Sequence, residues 1–198
     1  MLDKSAKLKW WGWGREGESY SLQDSRGFWS FLEQNLGPLP QSPRLSSLDD
    51  ISIPPSRLTS KDLEDLKEFF GENGVAAHKA ERINHSFGKS YMDLLRIRRG
   101  MVHNSPDVVV FPQRQEQIQD LLALASQRTW AVVPFGGGTS VVGGVEISEE
   151  DKLAVSLDLR RMNRVLAMWR SGPALKLKTR DIGMGPVVLA EYAGWLEE

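Results

Sequence analysis

The chain has 198 residues, 40% of them apolar and 26% charged, and a formal net charge of −1. That composition fits a globular fold and supplies no basic field to draw the protein onto nucleic acid or anionic lipid. Cysteine is absent, which excludes disulfides, thiolate zinc sites and cysteine nucleophiles.

From the N-terminus, residues 1–9 hold no apolar core of signal-peptide length, and no apolar run approaches the roughly 18 residues of a membrane span. A cytoplasmic protein with no transmembrane segment is the expectation. Trp10, Trp11 and Trp13 follow within a few positions. Tryptophan brings a large contact area, so this arm is expected to lie on the body of the protein. Asp24 or Ser25 is placed to cap a short helix carrying Phe28, Trp29, Phe31 and Leu32, stopped by Gly37–Pro38. Residues 38–58, with Pro38, Pro40, Pro43, Pro54 and Pro55, read as an extended connection. Thr59 with Asp62 three residues on opens a second helix, in which Leu63, Leu66 and Phe70 recur at helical spacing until Gly71. His78, His85 and His103 read as hydrogen-bonded structural histidines rather than metal ligands, and no metal site is expected. Tyr91 to Arg99 form a short helix ending at Gly100.

From Pro106 the pattern sharpens. Asp107 to Phe111 is a β-branched strand closed by Pro112. Gln113 to Arg128 is an amphipathic helix with Ile118, Leu121, Leu122 and Ala125 on its apolar face. Trp130 to Val133 is a short buried strand. A crossover helix joining two parallel strands of one sheet is the expected form. After the segment Pro134 to Gly144, Glu146 to Asp151 reads as a solvated acidic loop. Lys152 to Leu159 is a further strand, Arg160 to Arg164 a polar turn, and Val165 to Met168 the start of another strand. Val108, Val110, Leu121, Leu122, Val132 and Leu157 are expected to be buried, within a small sheet confined to residues 107–168.

The chemical signal lies in Pro134, Phe135, Gly136, Gly137, Gly138, Thr139, Ser140, Val141, Val142, Gly143 and Gly144, with five glycines in nine positions. A backbone this bare bends through positive φ and lets a ligand touch its N–H groups. Successive inward amides make a concave anion site suited to phosphate or pyrophosphate, and Thr139 and Ser140 add hydroxyl donors. Gly138 and Gly143 have the P-loop spacing, but Gly144–Val145 stands where Lys–Ser/Thr is required. The dinucleotide fingerprint begins at Gly136 and Gly138 and then meets Val141 in place of glycine. A glycine-rich surface turn without ligand is the bland alternative.

The form Pro-x-Gly-Gly-Gly-Thr-Ser-Val resembles the pyrophosphate loop of FAD-linked oxidases of the vanillyl-alcohol-oxidase type, and within them the alkyldihydroxyacetonephosphate synthase branch. The Lys–Trp-x-Gly–Trp–Gly start, the stretch from Arg82 to Gly100, Pro106–Asp107, and the turn with Asp158, Met162, Asn163 and Arg164 resemble the same family. The likeness covers roughly residues 8–168. It implies an α+β fold: the N-terminal part of a PCMH-type FAD-binding domain with a strand–helix–strand core, preceded by a mostly helical extension. The division it suggests is a Trp-rich extension over 1–100, the first part of the FAD-binding domain over 101–168, and a divergent tail over 169–198. It further implies FAD as cofactor, with Pro134 to Ser140 on the pyrophosphate and Val141, Gly143 and Gly144 turning the chain back beneath it. No catalytic residue is assigned. After Leu166 the likeness ends, which reads as a truncated or split gene product, with the complementary C-terminal part of a flavoprotein as a partner. Two functions remain open: the N-terminal FAD-binding portion of an FAD-dependent oxidoreductase or alkylglycerone-phosphate-synthase-like enzyme, or a non-catalytic remnant or partner module with the same core and no tight cofactor.

Overall fold

The computed structural model describes residues 9–14, 16–18, 27–38, 47–148, 150, 153–162, 165–171 and 174–179. Its first helix, α1 (Phe28–Leu36), starts at Gly27 and buries none of its residues; the capping positions expected at Asp24 and Ser25 lie outside the described residues. Helix α2 (Ser60–Phe70) starts where the sequence says it should. Asp62 N donates to Thr59 Oγ1 at 3.1 Å, and Thr59 N donates to Asp62 Oδ2 at 2.9 Å. Such a reciprocal cap satisfies amides that a helix start otherwise leaves bare. Gly71, at φ +74°, ends the helix, and Leu66 and Phe70 face inward.

Four strands form a mixed sheet: β1 (Val75–Ala76), β2 (Val108–Val110), β3 (Ala131–Phe135) and β4 (Ala154–Asp158), in the order β1-β2-β4-β3. β2 and β3 both run parallel to β4, while β1 is antiparallel to β2. The fold is α+β, as the sequence implied, but the sheet is not confined to residues 107–168. Val75–Ala76, from the extension, adds the outer strand, pairing Val75 with Val110. The two strands joined by the crossover helix are parallel yet not adjacent, because β4 inserts between them.

Position within this sheet explains the burial pattern. β2 and β4 are inner strands, and all eight of their residues are buried, as suits parallel strands covered on both faces. β3 is an outer strand of the described sheet. Val132 is accordingly only partly buried, and the strand is not the fully buried one expected. The crossover helix α5 (Gln115–Arg128) buries Gln117, Leu121, Leu124 and Ala125. Leu122, expected in the core, is 50% exposed. The inward face runs through Gln117, Leu121, Leu124 and Ala125, about 100° round the helix from Leu122, and the Gln117 side chain is engaged at the helix start. Its Oε1 accepts from the amides of Gln113 and Arg114, and its Nε2 donates to Phe69 O at 2.7 Å. Leu66, Phe70, Val110, Leu121, Val155 and Leu157 form the main core, each such side chain contributing about 1.5–3 kcal/mol on burial. Arg128, at the end of α5, pairs with both Asp62 and Asp65 and ties α5 to α2.

The extension builds a second core. Helices α3 (Lys79–Asn84) and α4 (Tyr91–Arg98) and the turn between them bring Ile83, Ile97 and Phe87 against Ile51, Val102 and Trp10. The tryptophan arm therefore lies on the body through Trp10, with Trp11 partly buried beside it, while Trp13 is 54% exposed. The extension meets the sheet at Pro106–Asp107. Arg82 donates to Pro106 O at 2.6 Å, to Pro54 O at 2.8 Å and to Ser105 Oγ at 3.1 Å. Arg57 grips the buried Asp107 carboxylate through Nε and Nη2, and Ala154 N donates to the same carboxylate at 2.8 Å.

Beyond β4 the chain forms a hairpin of β5 (Val165–Ser171) and β6 (Ala174–Thr179), with Ser171 opposite Ala174. The sequence reading found only the first strand; the run Ala174 to Thr179 alternates apolar and basic residues, which is the period of a strand.

Candidate functional site

Strand β3 delivers the glycine segment to the end of the sheet. Its last residue, Phe135, is buried and stands in register with Asp158, the last residue of β4. The chain then bends, and Gly138 adopts φ +66°. A Cβ there would sit 2.5 Å from the Phe135 ring, so both conformation and space demand glycine. The ring is held from behind: its centroid lies 4.2 Å from that of His85, and the Arg160 guanidinium is 5.6 Å from it.

His85 and Asp158 form a buried pair, and the more exposed Arg160 closes over Asp158. His85 Nδ1 faces Glu81 O at 2.8 Å and Nε2 faces Asp158 Oδ2 at 2.9 Å, so each ring nitrogen has an acceptor. Arg160 donates to Asp158 from its backbone amide at 2.9 Å and from Nε at 2.8 Å. Burial alone would raise the Asp158 carboxyl, but the hydrogen bonds from His85 and Arg160 hold it below its ordinary 3.8. Asp107 behaves alike: burial opposes ionisation, and the donors of Arg57 and Ala154 outweigh it. A depressed folded pKa means stability that is fully present above the unfolded value and lost as pH falls through the folded one. The urea midpoint is therefore expected to hold down to about pH 5 and to fall below about pH 4, with Asp107→Asn shallower in its acid slope. Equal midpoints at neutral pH and in acid would contradict this.

The far end of the glycine segment is pinned by the extension. Lys89 N donates to Ser140 O at 2.7 Å, and Gly144 N donates to Ser140 Oγ at 3.0 Å. Gly88 lies so close that a Cβ on it would meet Ser140 O at 2.0 Å. Lys89 Nζ in turn donates to Lys9 O at 2.9 Å, tying the tryptophan arm to the same point. Burial lowers the Lys89 pKa, helped by the nearby charge of Arg98. A turn at Gly143, φ +74°, closes the segment, with Glu146 N donating to Gly143 O at 3.0 Å. The acidic loop after it is anchored rather than merely solvated: Val145 and Ile147 are buried, and Arg96 grips Glu146 at 2.8 and 3.2 Å.

Between these pins, the amides of Gly137, Gly138, Thr139, Val141 and Val142 have no hydrogen-bond partner among the described residues. A cleft of about 210 Å³ opens beside Gly137 and Gly138, lined also by Phe135, Arg160, Lys89 and Trp10, while Thr139, Val141 and Val142 are exposed outside that lining. Unpartnered amides in a glycine-rich bend are donors of the kind that anions accept from. The expected site residues thus divide. Phe135, Gly137 and Gly138 wall the cleft, Gly136 leads into the bend, and Ser140, Gly143 and Gly144 fix the turn. Pro134 pairs within the sheet opposite Leu157, and Val141 is exposed. Sequence reading missed Gly88, Lys89, His85 and Arg160 as neighbours of the segment. One signal was available: Glu81 stands four residues before His85, one helical turn away.

A family model described as an FAD binding domain matches residues 106–173. Alkyldihydroxyacetonephosphate synthase of Dictyostelium discoideum is 32% identical over 193 residues, covering 83% of this chain and 31% of that protein. The synthase of Trypanosoma brucei brucei is 30% identical over 187 residues, covering 84% of this chain and 30% of its own. A solved structure of alkyldihydroxyacetonephosphate synthase superposes with a TM-score of 0.79 at 29% identity, over 95% of this chain and 38% of that one. The chain spans about a third of the length of the curated relatives it matches.

Proposed function

We propose, from the premise that this chain belongs to the FAD-binding flavoprotein domains of the alkyldihydroxyacetonephosphate synthase type, that residues 134–144 hold the FAD pyrophosphate. The amides of Gly137, Gly138 and Thr139, with the Thr139 and Ser140 hydroxyls, are the donors. Gly143 and Gly144 turn the chain away beneath them. When bound, FAD supplies a two-electron acceptor; the residues described here bind and orient it. Phe135, backed by His85, Asp158 and Arg160, keeps the cradle in shape. The observation that carries this reading is the set of unpartnered amides between two pinned ends. A preformed cradle requires little ordering on binding. The complete protein would act as an FAD-dependent oxidoreductase or an alkylglycerone-phosphate-synthase-like enzyme.

The test is binding of FAD to the purified chain, by calorimetric titration and by thermal shift. Ligand at about 100 times Kd adds about 2.7 kcal/mol of stability, or roughly 5–10 °C in Tm for a chain of this size. A yellow preparation whose Tm rises with added FAD is expected. A colourless protein with no calorimetric signal and an unmoved Tm would instead favour a non-catalytic module built on the same core.

A further inference from the structure

Three side-chain atoms among the described residues are buried with no hydrogen-bond partner: Asn84 Oδ1, Arg96 Nε and Ser156 Oγ. Orphaned polar atoms cost stability, so each calls for a physical reason. Arg96 has one at hand. Its guanidinium lies 4.7 Å from the Phe87 ring centroid and its other nitrogens pair with Asp93 and Glu146. Ser156 sits inside β4, on an inner strand and away from either cleft wall. Asn84 differs from both. It is the last residue of α3, directly before His85, and it is one of the residues lining the cleft that Gly137 and Gly138 also line. Its immediate neighbours are fully engaged: His85 through both ring nitrogens, and Ser86 Oγ on Arg82 O at 2.8 Å. Of the polar side chains in this turn, Asn84 alone is left with an unmet demand among the described residues.

We propose that Asn84 is a cofactor-contacting residue, its side-chain amide hydrogen-bonding a sugar-type hydroxyl of the dinucleotide whose pyrophosphate lies on the glycine segment. This rests on the pyrophosphate reading above. A hydroxyl both donates and accepts, as a primary amide does, and a half-turn about the last side-chain bond exchanges the two ends of the amide. The hydroxyl belongs to the ribose of the adenosine half or to the ribityl chain of the flavin half, and fragments separate the two. The protein thus carries a polar group that is badly satisfied without ligand and well satisfied with it. That makes affinity and ligand-free stability respond to its loss in opposite directions.

The experiment compares wild type, Asn84→Leu and Asn84→Ala for FAD affinity and for Tm without ligand. Leucine keeps the volume and removes the amide; alanine guards against a leucine that fits badly. FAD affinity is expected to fall about tenfold in both, the loss of one hydrogen bond of ordinary to charge-assisted strength. The ligand-free Tm of Asn84→Leu is expected to be equal to or above that of wild type. ADP weakened in parallel assigns the contact to the adenosine half, and FMN weakened in parallel assigns it to the flavin half. Unchanged FAD affinity in both variants would overturn the proposal, and so would a ligand-free Tm loss in both, because Asn84 would then be structural. Wild-type protein that binds no FAD would overturn the pyrophosphate reading and this proposal together, whereas failure of this proposal alone leaves wild-type binding intact.

Discussion

Gly138→Val is expected to reduce FAD affinity by two to four orders of magnitude and to lower Tm as well. Two effects act at one residue. The backbone holds φ +66°, a conformation that costs a side-chain-bearing residue about 1–2 kcal/mol and a β-branched one more. The new Cβ also lands 2.5 Å from the Phe135 ring. That ring cannot retreat freely, because His85 stands behind it, fixed by Asp158 and Glu81. The cradle must therefore open. If two amide contacts to the pyrophosphate are lost, at about 1.5–3 kcal/mol each, affinity falls by roughly 10²- to 10⁴-fold. The strain itself should lower Tm by about 4–8 °C. Sequence alone suggests that the fold would be indifferent, since the segment lies outside the strand–helix–strand core; the buried contact with Phe135 removes that expectation. Titration with FAD and a melting curve on the same sample check both halves. Wild-type affinity in a folded variant would take this segment out of the binding site.

Local patterns in the sequence are reproduced where local physics sets them. Thr59 and Asp62 cap α2, and Gly71 stops it. The three valines of β2 form a strand because β-branched residues buried on both faces suit an inner strand. The bend at Gly138 was legible because a run of glycines marks where the backbone takes positive φ. What sequence could not supply depends on residues distant along the chain. Val75–Ala76 is a strand only because Val110 and Val109 offer it an edge. Leu122 faces solvent while Gln117 faces inward, its amide on Phe69 O, 48 positions away. Asp158 reads as part of a turn motif, and only the fold shows it as the anchor shared by His85 and Arg160. The same holds for the extension. As sequence it is a helical prelude to the domain; in the fold Gly88 and Lys89 press against Ser140 and shape the cradle from the outside.

That contact yields the second large effect. Gly88→Ala is expected to lower Tm by roughly 5–15 °C and to weaken FAD binding at least tenfold, although Gly88 lies some fifty residues before the glycine segment. The cause is purely steric, since Gly88 is not among the residues at positive φ. A Cβ would stand 2.0 Å from Ser140 O and 2.9 Å from Ser140 C, both backbone atoms that cannot swing aside as a side chain does. Relief requires the two segments to part. That breaks the 2.7 Å bond from Lys89 N to Ser140 O, worth about 0.5–1.5 kcal/mol, and adds overpacking strain of about 1–3 kcal/mol. The total, about 2–4 kcal/mol, gives the Tm range for a chain of this length. Movement of Ser140 also displaces its hydroxyl from the Gly144 amide, so the far pin of the cradle loosens and the donors lose their arrangement. Gly27→Ala is the matched control: a Cβ there meets nothing within 4 Å, and neither Tm nor FAD affinity should change. If Gly88→Ala behaved like the Gly27 variant, the extension would be a neighbour of the cradle and not one of its walls.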